Sequence, residues 1–215
     1  MTKGNNPFGD YSDFITSVDD LEALSGPPMP QILAKELQEL DEICSEFISK
    51  SPMCIMATAN PAGYVDLSPR GDPPGFSSVL GSTLLALPDR PGNKRMDSFH
   101  NLLKDPRIGL LFFVPDRGET LRIRGTARLC RDARLLESMQ VNNRAPKLAL
   151  LVHVETAFMH CPKCIMRSNL WQPEKWQDAS DLADMNAAMV KHAHIPVSPE
   201  EWFKKLMEEG EIDLY

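Results

Sequence analysis

The sequence predicts a mainly β protein, an antiparallel barrel closed or half-closed, with flanking helices. Three observations carry this reading. From Met53 the chain breaks into short apolar runs separated by turn residues; Leu121, Ile123 and Gly125 alternate plainly against Arg122, Arg124 and Thr126; and helical periodicity gathers at the two ends of the chain. With 215 residues, 42% apolar and 25% charged, the composition suits one principal core plus peripheral helices. The expected organisation is an arm with helices over 1–50, the barrel domain over 51–171 and a helical extension over 172–215.

Taken in order, the first 16 residues are polar and lack periodicity, so they read as a tail or an arm laid over a neighbour. Ser17 with Asp20 three residues on starts a short helix through Leu24, which Gly26 and Pro27-Pro28 end. A longer helix follows from Pro30 to Lys50, because Leu33, Leu37, Leu40, Cys44 and Phe47 recur at helical spacing. Strands are expected at Cys54 to Thr58, Tyr64 to Leu67, Ser77 to Leu80, Thr83 to Leu87, Ile108 to Val114, Thr120 to Leu129 and Leu148 to Phe158. Asn60 to Gly63 and Gly81-Ser82 supply tight turns, and Arg95 to Leu103 a helix. Helices are expected again over Cys161 to Leu170, Asp181 to His192, and from Ser198-Pro199-Glu200-Glu201 to Gly210.

Charge narrows the ligand. A net charge of -7 argues against non-specific nucleic-acid binding, yet cations cluster between Arg90 and Arg134, which suits a small anionic ligand. No apolar run approaches the roughly 20 residues of a membrane span, and no hydrophobic signal core follows Met1, so a cytoplasmic protein is expected. Five cysteines, odd in number and set mostly in apolar patterns, read as reduced, buried thiols. Cys161 and Cys164 have CxxC spacing beside His160, but no second ligand pair completes a zinc site, so no metal is expected and both read as buried helix-start cysteines. His153 reads as core, His192 and His194 as a helix end, and His100 as exposed near the basic turn.

Two segments carry the candidate chemistry. In Val65 to Phe76 a strand runs into a Pro- and Gly-rich loop where Arg70 presents a fork of donors, Ser68 a hydroxyl and Gly71 a close backbone approach; phosphate fits it, and so does an ordinary Ser-Pro turn with a solvated Arg. Pro88 to Ser98 joins a strand to a helix with Arg90, Lys94 and Arg95; a bound anion fits Lys94 and Arg95 at a helix first turn, and so does neutralisation by Asp89 and Asp97. Arg122 and Arg124 project from one strand face, toward a cavity, another subunit or solvent.

The runs Asp66 to Phe76, Pro88 to Arg95 and Arg117 to Arg122 resemble the pyridoxamine 5'-phosphate oxidase-like, split-barrel FMN-binding superfamily, and within it a subgroup of probable FMN-dependent proteins of unassigned substrate, over roughly Ser17 to Lys175. The resemblance implies a six-stranded antiparallel split β-barrel, a homodimer, and FMN in a cleft shared by both subunits. It puts phosphate binding on Arg70 and on Lys94 or Arg95, with Ser68 and Ser98 as hydroxyl donors and Pro88, Asp89 and Arg90 along the cofactor. His160 to Trp171 resembles the subgroup's late strand-to-helix motif, whose Lys163, Arg167 and Trp171, spaced four apart, form a cationic and aromatic face able to close over a flavin from the partner subunit. Arg122 or Lys163 would tune the flavin, and Trp171 with Phe76 would shape the substrate side.

The resemblance therefore implies a flavoprotein oxidoreductase acting on an unidentified small molecule, with no catalytic side chain identifiable in the sequence. The carboxy-terminal Arg and His arrangement of true pyridoxamine phosphate oxidases has no recognisable copy, so vitamin B6 oxidation is not implied. A non-catalytic flavin-binding protein, or a split barrel using deazaflavin or haem, fits the same residues.

Overall fold

The computed structural model describes residues 7–212. Residues 1–6 of the expected arm and the last three of the carboxy-terminal extension lie outside that range. The chain divides after Lys35 into two compact units. In the first, α1 (Val18–Ser25) is capped by the Ser17 hydroxyl, which accepts from the Asp20 N–H at 3.1 Å, and ends at Gly26, whose φ of 69° favours glycine. The short α2 (Pro30–Ala34) starts on Pro30, and neither helix buries a residue.

The continuous helix expected over Pro30 to Lys50 is broken. Helix α3 (Glu42–Lys50) starts anew, its Asp41 carboxylate accepting from the Cys44 N–H at 2.8 Å. That hydrogen bond holds the Asp41 carboxyl below its ordinary range. Between the helices, the Leu37 N–H and C=O exchange 2.9 Å hydrogen bonds with Ala157, and the Leu40 N–H donates to Ser82. Backbone groups that bond to a distant strand cannot also continue a helix, whatever the side-chain period.

Seven strands form one antiparallel sheet: β1 (Met53–Ala59), β2 (Val65–Gly71), β3 (Ser78–Gly81), β4 (Leu84–Pro88), β5 (Arg107–Phe113), β6 (Thr120–Cys130) and β7 (Ala149–His160), in the order β2-β1-β5-β6-β7-β4-β3. All seven expected strands are present with shifted bounds, Tyr64, Ser77, Thr83, Val114 and Leu148 lying outside them, whereas the six strands implied by the resemblance fall one short. No ladder joins β2 to β3 among the described residues, so the sheet is not closed by hydrogen bonds. β2 is also longer than expected. Ser68, Pro69 and Arg70 pair with Met56, Ile55 and Cys54 rather than forming a loop. Pro69 is tolerated because β2 is an edge strand, where a missing N–H breaks no ladder.

Alternation places Ile108, Leu110 and Phe112 of β5, Leu121 and Ile123 of β6, and Val152 and Val154 of β7 in one core, closed by Cys44 and Ile48 of α3 and by Phe99 and Leu102 of α4 (Asp97–Leu102). Each such large side chain contributes about 1.5–3 kcal/mol on burial. A bulge interrupts the β6–β7 ladder between Arg124 and Gly125. There a Cβ on Gly125 would lie 1.9 Å from the His153 carbonyl oxygen, so only glycine fits.

After β6, α5 (Ala133–Ser138), capped by Asp132, had no sequence signal read for it. After β7 come α6 (Lys163–Ser168), α7 (Met185–His192), which starts at the Asp184 cap rather than at Asp181, and α8 (Pro199–Glu208). Ser198 and Glu201 complete a capping box on α8, and α7 and α8 pack on each other.

One ion pair spans the open ends of the sheet. Asp72 directly follows β2, Arg90 lies two residues beyond β4, and the Arg90 Nε donates to the Asp72 carboxylate with side chains 15% and 2% exposed. The Arg90 Nη2 also donates to the Met139 carbonyl at 2.8 Å. Breaking a pair this enclosed is costly, so Arg90→Ala should destabilise the fold by about 3–5 kcal/mol in urea unfolding. A loss under about 1 kcal/mol, the size of an exposed pair, would show that this contact does not hold the sheet ends together.

Candidate functional site

A cleft of about 1330 Å³ lies against these sheet ends, lined by β2, Phe76, the Pro88 to Met96 segment, the start of α4 and the 144–147 loop. It brings together Ser68, Arg70, Pro88, Asp89, Arg90, Lys94, Arg95 and Ser98, which the sequence places in two separate segments. Alternation along β2 turns Asp66, Ser68 and Arg70 half-buried to one side, and leaves Val65, Leu67 and Pro69 exposed on the other.

Arg70 is half-buried on the cleft side of β2. Its Nη1 donates to the Ser68 hydroxyl and to the Pro69 carbonyl at 2.8 Å, and its guanidinium stands 5.6 Å from the Phe99 ring centroid. Burial lowers its pKa, with Asp89 opposing; an arginine starts so high that it stays charged. Burial likewise pushes the Asp89 carboxyl up, with Arg70 opposing. The two charges thus share a partly dry site, and among the described residues Arg70 makes no salt bridge.

A polar floor fixes α4 beneath the cleft. The buried Asn101 Nδ2 donates to the Thr58 hydroxyl at 3.1 Å and to the Asp66 carboxylate at 2.8 Å, and the Asn60 Nδ2 reaches the same carboxylate at 3.4 Å. These bonds tie α4 to β1 and β2, one turn from Ser98, which is buried at the cleft wall.

Lys94 and Arg95 do not sit in the first turn of the helix, because α4 begins at Asp97 and Lys94 adopts a left-handed φ of 62°. Both are exposed at the rim. Arg95 pairs with Asp97 and Lys94 with Glu211, each at 2.5 Å, so Asp97 neutralises as expected while Asp89 faces Arg70 instead. Arg90 lines the cleft with its Nε and Nη2 already engaged by Asp72 and Met139.

Four expected site residues lie outside the cleft. Arg122 and Arg124 share the Glu36 carboxylate at 3.4 and 3.1 Å, with Arg122 4.9 Å from the Phe158 ring centroid. Lys163 and Arg167 are exposed on α6. Trp171 is not on their helix face, because Asn169, with φ 52°, ends α6, and the Trp171 Nε1 donates to the Arg117 carbonyl at 2.8 Å. Cys161 and Cys164 are exposed rather than buried, and so is His153. Sequence reasoning missed Asp66, Phe99 and Lys147 as cleft residues. The Asn142-Asn143 pair was a usable signal for the last, since both residues take left-handed φ in the turn that presents it.

Among the described residues no group of three or more His, Cys, Asp or Glu side chains is placed to hold a metal ion, and no helix is long and apolar enough to cross a membrane. Residues 40–161, more than half of the chain, match the family model described as pyridoxamine 5'-phosphate oxidase. No curated protein matches the sequence significantly. Among solved structures, HupZ of Group A Streptococcus is similar at 17% identity over 56% of this chain and 93% of that one, with a TM-score of 0.46. Protein Rv2991 of Mycobacterium tuberculosis is similar at 15% identity over 69% and 98%, with a TM-score of 0.44. A general stress protein 26-related protein of the pyridoxinephosphate oxidase family from Clostridium acetobutylicum is similar at 15% identity over 54% and 83%, with a TM-score of 0.42. Likenesses this distant decide nothing about the chemistry of the cleft.

The thiols test the placement of these walls. Burial pushes Cys44 up to about 11 and Cys54 up to about 12, so at pH 8 the reactive thiolate is about one part in a thousand or less. A disulfide reagent should therefore label Cys161 and Cys164 rapidly in the native protein, and Cys44 and Cys54 only on unfolding. Mass spectrometry of the labelled peptides checks this, and native labelling of Cys54 would contradict the buried β1 face.

Proposed function

The chain belongs to the pyridoxamine 5'-phosphate oxidase family, and on that premise we propose that it is an FMN-dependent oxidoreductase acting on a small molecule, with the flavin in the cleft beside β2. The observation that carries the reading is the half-buried Arg70 guanidinium, held against Ser68 and Phe99 and, among the described residues, in no salt bridge, at the wall of a cavity large enough for a cofactor. A phosphate suits this donor set: a fixed guanidinium fork, the Ser68 and Ser98 hydroxyls, and a low-dielectric surround that strengthens a charge-assisted hydrogen bond. Lys94 and Arg95 stand at the rim, where a phosphate competes with Glu211 and Asp97 for them.

When bound, FMN supplies the electron acceptance, so the protein needs no acid–base triad. The residues of this chain bind and orient. Arg70 and Ser98 anchor the phosphate end, Pro88 and Asp89 flank the ligand, and Phe76 and Phe99 give apolar wall. Asp89, facing Arg70 from a partly buried position, is the carboxyl whose proton affinity the site raises.

Arg122, Lys163, Arg167 and Trp171 reach a flavin on this reading only from a second copy of the chain. Support for a homodimer is the outer face of the sheet, where register aligns Pro69, Ile55, Leu111, Arg122 and Phe158 in one row, and where Val65 and Leu67 are 65% and 70% exposed. Light scattering of the FMN-loaded protein reads this directly, and a monomer mass would remove these four residues from the site.

Arg70→Ala should weaken FMN binding by about 1.5–3 kcal/mol, roughly ten- to a hundredfold, in a flavin fluorescence titration. Unchanged affinity would move the phosphate elsewhere. Wild-type protein whose melting temperature FMN does not raise, and which leaves flavin fluorescence unquenched, would overturn the flavin reading itself.

A further inference from the structure

Cys161 and Cys164 are exposed, so the pair has no part in the core, and neither lines the cleft. The other three cysteines are occupied otherwise. Cys44 and Cys54 pack in the core, and the half-buried Cys130 accepts a hydrogen bond on its Sγ from the Asp132 N–H at 3.4 Å. Two accessible thiols at CxxC spacing suit redox chemistry better than packing.

The backbone sets the two thiols against each other. β7 ends on the Thr120–His160 pair of its ladder with β6, so Cys161 leaves from an anchored strand end. Pro162 follows at φ -74° and ψ -6°, and Lys163 opens α6, which puts both residues between the cysteines in the right-handed helical region. The Met166 N–H donates to the Pro162 carbonyl at 2.9 Å, as a helical turn requires. A four-residue turn of this kind holds its first and last Cα atoms within about 7 Å, and disulfides join Cα atoms about 4.4–6.8 Å apart. The turn is also held from outside. A Cβ on Gly118 would collide with the Pro162 Cβ, so the β5–β6 connection packs against it, and Trp171, beyond α6, donates to the Arg117 carbonyl of that same connection. Ile165 is buried on the inner side of α6. Lys163 stands between the thiols and Arg167 one turn beyond Cys164, both exposed and in no salt bridge among the described residues.

We propose that Cys161 and Cys164 form a reversible redox pair that exchanges with a small anionic disulfide. One cysteine thiolate attacks a sulfur of the small disulfide; that S–S bond breaks, a mixed disulfide forms, and the first small thiol leaves with the proton the cysteine gave up. The other cysteine thiolate then attacks the protein sulfur of the mixed disulfide. The Cys161–Cys164 bond forms, and the second small thiol leaves with the second proton. Two electrons pass from the cysteine sulfurs to the small disulfide, and excess small thiol reverses the sequence. Lys163 and Arg167 favour a disulfide that carries carboxylates. The pair needs neither the flavin nor the cleft, so it goes beyond the function proposed above.

The test equilibrates the full-length protein in mixtures of reduced and oxidised glutathione, quenches with acid, alkylates the remaining thiols and reads the peptides by mass spectrometry. A linked Cys161–Cys164 pair should appear in one transition as the mixture becomes oxidising, and vanish when reduced glutathione is restored. Cys161→Ser and Cys164→Ser should each stop at a glutathione adduct on the cysteine that remains. The proposal is overturned if the wild type stays reduced, if it accumulates glutathione adducts without the linked pair, or if its disulfides join separate chains or involve Cys130. The ligand class is read from the ratio of the oxidation rates with oxidised glutathione and with uncharged hydroxyethyl disulfide. Lys163→Gln combined with Arg167→Gln should lower that ratio about threefold or more, and an unchanged ratio overturns the anionic assignment.

Discussion

The buried pair of Arg90 and Asp72 is the contact on which the site depends. The sheet leaves β2 and β3 unpaired, so hydrogen bonds alone do not fix how its ends approach. An ion pair supplies that constraint, because Asp72 follows β2 and Arg90 follows β4, and because a carboxylate only 2% exposed is tolerated only while it is paired. The neighbours of each member become neighbours of each other. Arg70, two residues before Asp72, then faces Asp89, one residue before Arg90, and the cleft lies against both.

This arrangement grades the cations by environment. Rim charges such as Lys94 and Arg95, exposed and paired, gain little from any one anion because water and salt screen them. Arg70 is different. Partial burial makes its hydrogen bonds stronger and its lack of a salt bridge among the described residues more consequential, while Asp89 opposes the effect of burial on it.

Much of this was legible in the sequence. The strands announced themselves through alternating apolar residues, and Ser17, Ser198 and Glu201 marked helix starts that the structure reproduces. What could not be read depended on partners distant in sequence. Leu37 has helical spacing but bonds to Ala157; Arg122 and Arg124 share a strand face but meet Glu36 rather than the cleft. Pro69 resembled a loop signal until β2 proved to be an edge, and Lys94 and Arg95 resembled a helix start until the backbone turned left-handed before it. The cleft cations were recognised in two basic segments, whereas Lys147, one residue past the Asn142 to Pro146 connection, was not read as part of the cleft.

Hydrogen exchange with and without saturating FMN tests the central claim most directly, because it maps where a ligand is felt along the backbone. FMN should protect 65–71, 88–99 and 144–147 together, the three segments that meet at the cleft. Protection confined to the outer face of β5 and β6, with these three segments unchanged, would place the flavin elsewhere and contradict it.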